Sequence, residues 1–97
     1  QYVGEYDDLR NLSVGDLLKY AGEQWKEDER TDRIGMLAEL LYAEASCKGQ
    51  PLRQMLQEKA YSLFDYVEAH DSTFSIERRQ KMDAMRRELG EILPLAH

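Results

Sequence analysis

The chain has 97 residues, 42% of them hydrophobic and 33% charged, with a net charge of −6. This length suits one domain, and this balance suits a folded chain with a charged surface rather than a disordered one. The acidity argues against broad attraction to nucleic acid or anionic membrane, and the single cysteine, Cys47, rules out an intrachain disulfide.

Four helical segments are predicted and no convincing strand, because no stretch alternates apolar and polar residues for more than a few positions. Residues 1–11 read as a short helix or an arm carrying Tyr2, Tyr6 and Leu9. The first helix, over 13–28, has Ser13 as its N-cap and Asp16 three residues later, with Leu12 and Leu17 placed to staple the first turn. Val14, Leu17, Leu18, Ala21 and Trp25 then share one face. The charged run "KEDERTD" is expected to hold a turn, with Thr31 or Asp32 capping the next helix.

The second helix, over 32–48, should end where Gly49 takes the left-handed position beyond it and Pro51 starts the third. That tight reversal predicts an antiparallel pair. The third helix, over 51–70, centres its apolar stripe on Leu52, Leu56, Leu63 and Val67. Met55, Ala60, Phe64 and Tyr66 flank that stripe. Its polar side holds Gln54, Gln57, Glu58, Asp65 and Glu68, with Tyr61 a misfit among them. The segment "AHDSTFS" breaks the chain again, with Ser72, Thr73 and Ser75 available as caps. The fourth helix, over 75–93, shows Met82, Met85, Leu89 and Ile92 as a narrow seam before Pro94. Connections this short predict an all-α fold, a small up-down four-helix bundle in a single domain over 1–97. A three-helix core with a projecting segment or N-terminal arm is the alternative.

The second helix is unusual in having two apolar sides. At 100° per residue, Ile34, Leu37, Ala38, Leu41 and Ala45 form one stripe, with Tyr42 at its edge. Met36, Leu40, Ala43 and Cys47 form another, almost opposite. Leaving Met36 and Leu40 in water forfeits about 1.5–3 kcal/mol each relative to burial. Two covers are open: the rest of this chain, helped by Tyr2, Tyr6 and Leu9, or another chain. On either cover Cys47 is expected to pack as a small hydrophobe.

Charge is uneven. Residues 1–48 hold six Lys/Arg against eleven Asp/Glu, whereas residues 49–97 hold seven against eight. Arg78, Arg79, Lys81, Arg86 and Arg87 make the fourth helix locally basic. The pairs Glu77–Lys81, Arg79–Asp83, Asp83–Arg87 and Arg87–Glu91 have the i,i+4 spacing that neutralises charge along one helix. No aromatic residue interleaves with the arginines, so base stacking is not indicated.

Catalytic and metal chemistry lack candidates. His70, at a predicted helix end, and His97 are the two histidines, and neither sits in a metal-ligand spacing. Cys47 has no base near it in sequence, and carboxylate pairs carry little information in a chain with nineteen Asp/Glu. No phosphate-binding glycine loop is present. The expectation is therefore a non-enzymatic helical interaction module: a regulatory adaptor, a chaperone-like subunit or a small inhibitor. It would need no cofactor and no small-molecule substrate. It would bind a protein partner or itself, as a dimer, using Met36, Leu40, Ala43, Cys47 and Tyr61 together with Arg78, Arg79, Arg86 and Arg87. The alternative is a nucleic-acid-associated regulator using the basic helix. One cysteine and no apolar span suggest a cytoplasmic, membrane-free setting. No signal peptide is visible in these residues, and a start at Gln1 rather than Met leaves an earlier segment open.

Overall fold

The structure, a computed structural model, describes residues 8–71 and 75–92, with the backbone alone for 91 and 92. Four helices lie in this part of the chain: α1 (Val14–Gln24), α2 (Glu27–Ser46), α3 (Leu52–His70) and α4 (Ile76–Ile92). No strand occurs among the described residues. No helix there is long and apolar enough to cross a membrane.

Ser13 caps α1 as its sequence demands, its Oγ accepting from the Asp16 N–H at 3.2 Å. The helix stops earlier than the sequence indicates, at Gln24, because Trp25 turns into an extended conformation. The run "EDERTD" is then no turn: it forms the first turn and a half of α2. Glu27, Asp28 and Glu29 stand where the positive end of the helix dipole favours anions, which outweighs the expected caps at Thr31 and Asp32. Arg30 closes the joint from the other side. Its guanidinium donates to the carbonyl oxygens of Ala21, Gly22 and Trp25 at 3.2, 3.4 and 3.1 Å. The Gly22 and Trp25 carbonyls are acceptors that the end of α1 leaves open, whereas the Ala21 carbonyl also accepts from the Trp25 N–H at 3.1 Å. Tyr20 meets the Trp25 ring edge-on at 5.8 Å, and the Arg33 guanidinium lies 5.5 Å from the centre of that ring.

α2 and α3 form an antiparallel hairpin. At one end Arg53 Nη1 donates to the Ala45 carbonyl at 3.1 Å; at the other, a Cβ on Gly35 would lie 3.7 Å from Val67 Cγ2. The reversal does not use a left-handed glycine, since none of the described glycines has a positive φ. Instead the last turn of α2 tightens, with the N–H groups of Cys47 and Lys48 donating three residues back to Glu44 and Ala45.

The core fills the space between these helices. Leu17, Ile34, Leu41, Leu63, Phe64 and Met85 are its largest fully enclosed side chains. Leu9 is also buried, so the segment before α1 does pack against the core, while Tyr2 and Tyr6 lie outside the described residues. α1 packs on both helices of the hairpin and α4 packs on α3. Met82 and Met85 of the expected seam are buried, Leu89 is half-buried, and the side chain of Ile92 lies outside the described residues. Of the possible caps for α4, Ser75 serves, its Oγ accepting from the Arg78 N–H at 3.1 Å; Ser72 and Thr73 lie outside the described residues.

Candidate partner-binding surface

The two stripes of α2 part company. Ile34, Leu37, Ala38, Leu41 and Ala45 are buried, as the core side of the helix requires. On the other side Met36 is 58% exposed and Leu40 45% exposed, and Ala43 and Cys47 are exposed with them. Of the two covers the sequence leaves open, the described residues of this chain do not supply the first: none of them covers this second stripe. Four helices around one core reach only the inner side of α2, and Leu9, although buried, joins that core. Cys47 is accordingly corrected from a packed small hydrophobe to a solvent-facing thiol.

Polar ties hold the two edges of the stripe. On one edge Lys81 bonds the Glu39 carboxylate and sits 5.7 Å from the centre of the Tyr42 ring. On the other, Arg10 bonds Glu44, and the Arg10 carbonyl accepts from Lys59 Nζ at 2.6 Å. Arg33 pairs with Glu29 one turn away. Along the Glu39 edge run Asp28 and Asp32, both exposed, and neither forms an ion pair among the described residues. Beside Met36 the surface dips into a groove of about 240 Å³ between α2 and the start of α4, with Phe64 and Val67 among its lining.

The basic residues of α4 are not gathered for a partner. Arg78 is buried, its Nε donating to Glu68 at 2.6 Å and its Nη1 lying 3.5 Å from Asp71. The bond from Arg78 holds the Glu68 carboxyl below its ordinary range. Arg79 also reaches Glu68, at 3.5 Å. Arg86 donates to the Tyr61 hydroxyl at 2.7 Å and lies 5.7 Å from the centre of that ring. Arg87 is exposed and has no ion pair among the described residues. The expected neutralisation along the helix is therefore corrected. Lys81 goes to α2, and Arg78 and Arg79 go to α3. Asp83 takes Arg86 three residues on, at 3.6 Å, rather than Arg79 or Arg87. The Glu91 side chain lies outside the described residues.

Part of the supposed polar side of α3, namely Gln57, Tyr61 and Glu68, is thus where α4 docks, while Glu58 and Asp65 stay exposed. Gln57 is buried there, its amide donating to Glu88 Oε1 at 3.2 Å. Arg53 grips the same carboxylate at 2.5 and 2.9 Å, and these bonds hold the Glu88 pKa down to about 2. Tyr61, a misfit in sequence, is the half-buried stacking partner of Arg86. The nine candidate binding residues therefore separate. Met36, Leu40, Ala43 and Cys47 form one continuous exposed face, Tyr61, Arg78, Arg79 and Arg86 belong to the α3–α4 contact, and Arg87 stands exposed apart from both.

His70 stacks on Tyr66 at the end of α3, with its Nδ1 2.9 Å from the Tyr66 carbonyl oxygen. No three His, Cys, Asp or Glu side chains converge as a metal site among the described residues. Comparison with protein-family models, with curated proteins and with solved structures finds no match.

Proposed function

We propose that this chain is a non-enzymatic helical interaction module that binds a protein partner, or a second copy of itself, through the outer face of α2. The observation that carries the reading is the stripe of Met36, Leu40, Ala43 and Cys47. A continuous apolar line on a surface helix is costly to leave in water, and such lines mark contact sites. The spacing of 4, 3 and 4 residues is the one by which a helix presents a seam to another helix. The mechanism is occlusion or scaffolding: the bundle holds α2 rigid, and α2 offers a preformed surface. The nucleic-acid reading has less support, because four of the five basic side chains of α4 are engaged with Glu39, Glu68, Asp71, Asp83 or Tyr61.

Leu40→Asp tests the proposal. Leu40 contributes nothing to the buried core, so the variant should keep the helical circular dichroism and melting temperature of the parent. Its association should fail, read as mass by light scattering and as the set of proteins retained from a native extract. A variant that keeps both the parent's mass and its retained proteins would refute the proposal. A variant that unfolds would show that Leu40 is buried within the chain.

A further inference from the structure

We infer that the occupant of the α2 face is a cationic amphipathic helix of a partner protein rather than a second copy of this chain; this rests on the reading that the face is a binding surface.

Two parallel lines run along α2. Met36, Leu40, Ala43 and Cys47 make the apolar line. Asp28, Asp32, Gly35 and Glu39 repeat the same 4, 3, 4 spacing about a quarter-turn away. The second line is acidic, and it is small where Gly35 stands. The Asp28 and Asp32 carboxylates are exposed and have no ion pair among the described residues, so they are available to a cation. The groove lies on this acidic side. Met36 supplies the exposed apolar surface and is shared with the apolar line, and Asp32 and Glu39 lie along the α2 wall. The far side is closed by buried Phe64 and Val67 and by Arg78, whose charge is taken up by Glu68.

These features match one kind of ligand. A helix laid along α2 would set apolar side chains over Met36, Leu40 and Ala43. A Lys or Arg one turn away would meet Asp28 or Asp32. Helix-in-groove recognition works through anchors at this spacing. Complementary charge favours this partner and speeds its encounter. A second copy fits less well. A twofold interface sets the same patch against itself, and two chains of net charge −6 would each bring the acidic line. Nucleic acid would meet the same carboxylates as like charge.

The test uses the whole chain and two synthetic amphipathic helices of about five turns. One carries Lys on its polar side, the other Glu, over the same leucine seam. Binding is read by fluorescence anisotropy of the labelled peptide at low and moderate salt, with light scattering on the protein alone. The Lys helix should bind and the Glu helix should not. Leu40→Asp should weaken the Lys helix more than about tenfold, the loss of one buried aliphatic contact. Asp28→Asn with Asp32→Asn should weaken it about 3- to 20-fold at low salt, as expected of two exposed ion pairs. The control pair Glu23→Gln with Asp65→Asn, an equal change of net charge on exposed residues of α1 and α3, should have a smaller effect.

Equal binding of both helices overturns the inference, as does binding of neither, or equal losses in the two charge pairs. A protein dimer that Leu40→Asp dissolves would identify the second copy as occupant and also overturn it. In that case the face remains a binding surface and only the cationic partner is lost. If Leu40→Asp changes no association at all, the reading of the face fails with it.

Discussion

Glu88 joins three helices, and protonating it should loosen all three. Its carboxylate accepts two bonds from Arg53 and one from Gln57, while Arg53 also donates to the Ala45 carbonyl near the end of α2. The arginine bonds come first among the causes that lower the Glu88 pKa from 4.5 to about 2, with the Gln57 bond second. A depressed carboxylate pKa means that the unfolded chain takes up the proton first. The stabilisation is therefore complete above pH 4.5 and is lost as pH falls through about 2. At about 1.4 kcal/mol per pKa unit the displacement would correspond to about 3 kcal/mol. Water reaches 30% of the side chain, which screens the interaction and brings the expected contribution to about 1–2 kcal/mol. Glu88→Gln should accordingly unfold at lower urea concentration than the parent at pH 7, by about 1–2 kcal/mol. The difference should shrink steadily below pH 4.5 and close near pH 2. Parallel stability curves for the two proteins from pH 7 to pH 2 would refute the reasoning. They would mean that Glu88 ionises alike in the folded and unfolded chain.

Cys47 should react with a thiol reagent in the native protein almost as fast as in urea, since its side chain faces solvent; strong native protection, counted by mass spectrometry, would contradict its placement. Arg30→Ala should cost about 1–2 kcal/mol, because the Gly22 and Trp25 carbonyl oxygens lose their donor and the Ala21 carbonyl keeps only the Trp25 N–H. For a chain of this size that lowers the melting temperature by roughly 5–10 °C, measured against Lys26→Ala, an exposed neighbour expected to melt like the parent.

The helices were legible because their inner residues repeat at helical spacing: Leu17 with Ala21, Ile34 with Leu41 and Ala45, Leu56 with Leu63 and Val67. The Ser13 cap was legible for the same local reason, that a side-chain oxygen three residues from an N–H has few other uses. The joint between α1 and α2 was not. "KEDERTD" looks like a solvated turn until Arg30 is seen folding back on α1, and a contact nine residues back to Ala21 leaves no periodic trace. The docking of α4 was hidden similarly. Gln57, Tyr61 and Glu68 are polar by type, and only the arrival of Glu88, Arg86 and Arg78 buries the first and half-buries the other two. The exposed face of α2 was visible as a second stripe. Whether this chain covered it depended on how four helices divide the space around one core, which spacing along a single helix does not encode.

The α2–α3 hairpin joins neighbours in sequence, while α4 is fastened to it by two methionines and a row of ionic clasps. Such clasps open more readily than a hydrocarbon core, so the bundle should come apart in layers. Backbone amides of α4 and α1 should exchange with deuterium before those at the centre of α2 and α3, whose opening approaches that of the whole domain. The helix that displays Leu40 is then the last to lose its shape. A partner gripping it would meet a scaffold that keeps its form while its outer helices breathe, and binding would draw little on the entropy of ordering α2.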